Sequence, residues 1–234
     1  NIVAVGSNSL AGALGGAADG TVAIGAYSLY ALTTGTKNTA IGYQAADALT
    51  TSSYNTVLGY GALSTEVTQG TATAIGTESL GLQTVASGGG NCENTGVGYR
   101  AGYNNVTGTS NTYLGFLAGQ GVSTKSHSGC VFVGTNAGLT AYTGDNNIAI
   151  GYGAMDDVDA DATVGASAGN TFLGKDAGGG TWVTAATDNC VGIGISALSG
   201  ALTGAGDGTV AIGASALTAL TSGARNTAVG YQSG

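Results

Sequence analysis

The chain repeats one phrase at a nearly fixed interval. Anchored on the Gly of each A-I-G-like phrase, thirteen segments align, at Gly6, Gly25, Gly42, Gly59, Gly76, Gly98, Gly115, Gly134, Gly151, Gly174, Gly194, Gly213 and Gly230. Successive spacings are 19, 17, 17, 17, 22, 17, 19, 17, 23, 20, 19 and 17 residues. Seventeen is the floor and the commonest value, so longer intervals are excursions from a fixed coil. A unit this short cannot bury an apolar face alone and has to stack on copies of itself.

The columns of the alignment predict how each coil is built. One residue before the Gly stands Val, Ile or Leu in every segment, including Ile24, Ile41, Leu58, Ile75, Ile150 and Ile212. Three before stands a β-branched residue, Val, Ile or Thr. Residues two apart share a strand face, so these columns predict a short strand with Ile24, Ile41, Leu58, Ile75, Ile150 and Ile212 in the core. The residue between them would then point out of the coil. It too is never charged, with Ala40, Val57, Tyr113, Phe132 and Phe172 among its members. A strand apolar on both faces is covered on both, so these residues are expected at an interface between chains, in a homo-oligomer. Four before the Gly, Asn38, Asn55, Asn94, Asn111, Asn147, Asn170 and Asn226 are expected to support turns as a ladder along the stack. Three after it, only Ala or Ser occurs, as where backbones pack closely. Stacked at about 4.8 Å per coil, these units form a parallel β-solenoid, an all-β fold of about thirteen coils. Helices are disfavoured by the period of two and by 45 Gly residues in 234.

A longer repeat lies above the short one. Residues 1–46 align without gaps onto 189–234, with 28 of 46 identical and an offset of 188. The expected organisation is one continuous shaft over residues 1–234, cut from a longer repetitive chain.

Charge narrows the functions. Only 8% of residues are charged, with 13 acids against 5 scattered bases, so no basic patch exists to neutralise a nucleic acid backbone. No apolar run reaches the length of a membrane span. Cys92, Cys130 and Cys190 have neither zinc-site nor disulfide spacing and are expected as buried small residues. His127, the one histidine, sits in "KSHSG" and is expected in a solvated turn; no catalytic residue and no organic cofactor are implied. Asp156, Asp157, Asp159 and Asp161 form the densest charge and are a candidate Ca²⁺ site, against the plainer reading of a solubilising loop. Tyr43, Tyr60, Tyr99 and Tyr152 follow the Gly and are candidate outside contacts, where rings could stack on a sugar of a cell-surface glycan or pack between chains. The "NVT" sequon at Asn105 is near chance in so Asn- and Thr-rich a chain.

The phrase "NTAIGYQA…LTTGT" resembles the repeat of phage tail-fibre-like shaft proteins and related bacterial surface proteins. More distantly, "TVAIGA" at residues 21–26 and 209–214 is similar to the head repeats of trimeric autotransporter adhesins. The resemblance implies a homotrimer of left-handed parallel β-rolls around a hydrophobic axis, outside the cell, on a virion tail fibre or a microbial surface. The unit here is longer than the adhesin repeat. The expected function is a fibre shaft, with a carbohydrate-binding surface as alternative. Ice binding is a weaker alternative, because the Thr column is expected to face inward.

Overall fold

The computed structural model describes residues 1–12, 18–68, 70–84, 91–122, 126–140, 144–157, 167–182, 187–200, 202 and 206–234. Its strands are β1 (Ile2–Val5), β2 (Thr21–Ile24), β3 (Thr39–Ile41), β4 (Thr56–Leu58), β5 (Thr73–Ile75), β6 (Thr95–Val97), β7 (Thr112–Leu114), β8 (Val131–Val133), β9 (Ile148–Ile150), β10 (Thr171–Leu173), β11 (Val191–Ile193), β12 (Val210–Ile212) and β13 (Thr227–Val229). They form one parallel sheet in sequence order, β1 to β13. Register never slips: Ile24, Ile41, Leu58, Ile75 and Val97 stack directly, and each column of the alignment is a column in space. The chain is a parallel β-solenoid.

The faces of the strand are the reverse of those predicted. Val57 is 1% exposed while its neighbour Leu58 is 45% exposed, and the same inversion holds at Ala40, Tyr113, Phe132 and Phe172, all fully buried. Ile24 and Ile150 are exposed, and Ile41, Ile75 and Ile212 are only half-buried. The core is therefore built on the middle residue of each strand, and the aliphatic column lies on the outer face of the sheet. Ala40, Val57, Tyr113, Phe132 and Phe172 do not face another chain.

Volume complementarity explains this choice. Opposite a small middle residue, the position four after the Gly is a large one in most coils: Ala23 with Leu29, Val57 with Leu63, Ala74 with Leu80, Ala211 with Leu217, all buried; Ala40 with Ala46 and Gly96 with Gly102 are exceptions. Where the middle residue is aromatic, that position is Gly. A Cβ on Gly119 would lie 2.2 Å from the Tyr113 ring, one on Gly138 2.5 Å from Phe132 and one on Gly178 2.6 Å from Phe172. Large and small residues thus trade places across the narrow interior, as close packing demands.

The anchoring Gly lets consecutive coils close up. At Gly59, with φ +146°, a Cβ would stand 2.4 Å from the carbonyl oxygen of Gly76, and the same approach recurs from coil to coil. No L side chain fits that contact. Between coils the Asn column carries the polar bonding. Asn38 Oδ1 accepts from the backbone N–H of Asn55 at 3.0 Å and from its Nδ2 at 3.0 Å, while Asn38 Nδ2 donates to the Ser52 carbonyl at 2.7 Å. Asn94, Asn147 and Asn170 repeat the pattern toward Asn111, Asn170 and Cys190. Cys130 and Cys190 occupy the Asn column itself. Their thiols donate to the carbonyls of Gly144 and Gly206, and burial pushes the Cys130 thiol up to about 12. All three cysteines are buried and free.

Candidate functional site

Three surfaces carry the residues that could meet a partner. The first is the outer face of the sheet. Its two columns consist of Val, Ile, Leu and Thr alone, with Thr39, Thr56, Thr73, Thr95 and Thr112 on five successive strands. With the faces reversed, the Thr column points outward, contrary to the sequence expectation.

The second surface is the turn that follows the Gly. Tyr43, Tyr60, Tyr99 and Tyr152 are exposed there. Tyr43 and Tyr60 stack with ring centroids 5.5 Å apart and 11° between planes, and Tyr99 stacks on Phe116 at 5.3 Å and 15°. Lys175 Nζ stands 5.9 Å from the Tyr152 ring. The row of rings breaks at Thr77, and beside the break lies the third feature, a notch of about 260 Å³. Tyr60 and Tyr103 line it together with Gln44, Asp47, Ser64 and Glu78. Sequence reasoning named Tyr60 here but not Asp47, Ser64, Glu78 or Tyr103. Their signal was partial: Gly61 and Gly81 are small residues on adjacent coils, but Gly153 and Gly179 repeat the pair, and Ser64 against Asp156 is what differs. Arg100 ion-pairs with Glu78, and its guanidinium lies 4.9 Å from the centroid of the Tyr103 ring. Desolvation raises the Asp47 carboxyl above its ordinary range, against the opposing backbone N–H groups of Asp47 and Ala48. Asp47 Oδ1 is shut off from solvent and has no hydrogen-bond partner.

The acidic run divides. Asp159 and Asp161 lie outside the described residues. Asp156 is pushed up to about 6, first by desolvation and then by the charges of Asp157 and Asp176, while Asp157 accepts a hydrogen bond from the Thr181 hydroxyl. Among the described residues no group of three or more His, Cys, Asp or Glu side chains could hold a metal ion.

His127 is not in a solvated turn. Its side chain is buried and its Nε2 lies 2.8 Å from the Tyr113 hydroxyl, which also accepts a hydrogen bond from Asn105 Nδ2 at 2.8 Å. Phe132 packs against the imidazole at 5.3 Å between centroids. Asn105 is itself buried. The residues at the same place in other coils, Ala18, Ser52, Ser167 and Thr187, are also buried, and the flanking coils have Gly108 and Gly144 there, where a Cβ on Gly108 would lie 2.0 Å from the His127 carbonyl oxygen. That column of small residues is the signal that marks the position as inward.

Among the described residues no helix is long and apolar enough to cross a membrane. The chain matches no protein-family model, no curated protein and no solved structure.

Proposed function

We propose that the chain is a structural shaft of an extracellular fibre, on a virion tail or a microbial surface, in which copies associate side by side, three to a shaft, through the outer face of the sheet. The observation that supports this is the uncharged aliphatic and Thr strip that runs the length of the thirteen strands. At about 4.8 Å per strand and about 10 Å of strand width, the strip offers about 600 Å² per copy. A pair of such strips buries about 1,200 Å², above the roughly 1,000 Å² that a specific interface needs. Left in water it would rank with the largest apolar patches that monomers carry. Sedimentation equilibrium tests the reading. The expected result is a mass of three chains that falls to one in the Leu58→Asp, Leu114→Asp double variant, with the circular dichroism of the solenoid retained. A chain that sediments as a monomer at about 100 μM, well above the micromolar range of ordinary transient contacts, sinks it.

One observation favours a second reading. The outward Thr column, with an aliphatic column beside it, presents hydroxyls and methyls at a constant repeat on a rigid face, which suits ordered water at an ice surface. Thermal hysteresis of the same protein, abolished in Thr73→Asp, is the result that would select this reading over lateral assembly.

A further inference from the structure

The notch beside Tyr60 is an open indentation lined by polar side chains and two Tyr rings, in which Glu78 is bound to Arg100 of the next coil. Several coils fill this edge with a long side chain, whereas Gly61 and Gly153 place none there. At the position two after the Gly, other coils carry Gln44, Arg100, Asn136, Asp176 and Gln232, all in the left-handed region. Gly61 leaves it empty: a Cβ there would meet only Glu78 Cγ, at 3.7 Å. Five after the Gly, Ser64 and Gly81 are small, and Tyr103 closes over Gly81 so that a Cβ would lie 2.7 Å from its ring. An indentation thus opens between two Tyr side chains, with Asp47 in its lining.

We infer that this notch binds one neutral pyranose ring. Ring size comes first: about 260 Å³ is far more than an ion needs and lies below the roughly 300 Å³ at which pockets for drug-sized ligands begin. The walls come next. Tyr60 and Tyr103 offer apolar ring surface, and the C–H face of a sugar packs on such rings while its hydroxyls turn to polar groups. Asp47, Gln44 and Ser64 supply acceptors and donors for those hydroxyls. Charge excludes the competing classes. An anionic ligand would meet Asp47 and Glu78. An organic cation would find Glu78 already paired with Arg100, whose guanidinium stands over Tyr103.

The test uses ligand-observed saturation-transfer NMR on the full chain. The probes are the methyl pyranosides of glucose, galactose, mannose and N-acetylglucosamine, with tetramethylammonium as the cationic probe. The expected result is that at least one pyranoside binds with a Kd of about 1–30 mM, the weak range of a single small ring. Gly61→Gln keeps a residue that the same column accepts at Gln44 and Gln232, fills the notch, and is expected to weaken binding at least tenfold with the circular dichroism unchanged. Asp47→Asn is expected to weaken it severalfold. The inference is overturned if no pyranoside binds at about 100 mM, if binding survives Gly61→Gln unchanged, or if tetramethylammonium binds more tightly than every sugar.

Discussion

At neutral pH the buried imidazole of His127 carries no charge, because desolvation lowers its pKa to about 4 from an ordinary 6.5. Its Nδ1 has no hydrogen-bond partner, so a proton added there is left unpaired in a buried site. The unfolded chain takes up this proton first as pH falls. Stability linked to His127 is therefore complete above about pH 6.5, is lost between pH 6.5 and 4, and reaches its full deficit below that. That gap corresponds to about 3 kcal/mol. Asp156 acts with the opposite sign: its folded pKa of about 6 exceeds 3.8, so the folded carboxyl takes up its proton first and the fold gains as pH falls through that window. Chemical denaturation of an Asp156→Asn protein, with and without His127→Gln, separates the two. The protein that keeps His127 is expected to lose stability between about pH 7 and 4 while the His127→Gln protein holds nearly level; parallel profiles would show that the imidazole is protonated without cost. Burial of this ring was not legible from "KSHSG", whose Ser and Gly neighbours suggest a turn. It follows from the coil: the ring lies in a column of small inward residues, with glycines on the coils above and below.

At the scale of one coil the Asn column converts a turn into a bonded rung. Asn55 Oδ1 accepts from the Ala72 N–H at 3.0 Å, and Asn55 Nδ2 donates to Asn38 Oδ1 and to Ser52 Oγ. All of these lie out of water, so Asn55→Ala strands a buried N–H and costs about 3 kcal/mol. The Asn226 side chain bonds the Gly223 carbonyl in an exposed turn, and its loss is expected to cost under about 1 kcal/mol. Hydrogen exchange at the Ala72 amide reports the difference directly; an amide that stays protected in Asn55→Ala would remove the ladder from the account. Strand existence, register and this Asn column were legible because period and residue type coincide in them. Face direction was not, since both faces of "TVL" or "TYL" are uncharged and parity alone leaves two solutions. The deciding pattern was present: Tyr113, Phe132 and Phe172 occur where Gly119, Gly138 and Gly178 make room for their rings. Only an enclosed interior demands such compensation, whereas an outer face tolerates Leu58 and Ile150 without adjustment. The notch was hidden for a related reason, being made of residues distributed over adjacent coils and visible only once the coils are stacked.

At the scale of the molecule the solenoid is one-dimensional. Each described strand contacts only the strand before and the strand after it, so a fault in one coil has no route around it. Gly134 tests this at the middle of the stack. Its φ is +130°, and a Cβ would lie 2.5 Å from the Gly151 carbonyl oxygen and 2.7 Å from its carbon, backbone atoms that no rotamer change can move aside. Gly134→Ala is expected to cost about 4 kcal/mol or more, in the range reserved for strained backbone and overpacked cores. In a globular domain such a loss lowers the stability of every element together. Here it should divide the stack. Amide exchange is expected to accelerate at Gly134 and Gly151, whose N–H groups donate to Leu114 and Val133, while Gly59 and Gly213, bonded to Ile41 and Ile193, keep their protection. Denaturation should then separate into two transitions, one for β1–β7 and one for β9–β13. A single sharpened transition, with protection falling equally at Gly59 and Gly213, would mean that the coils are coupled beyond their nearest neighbours, and stability would then have to be argued for the whole rod rather than coil by coil.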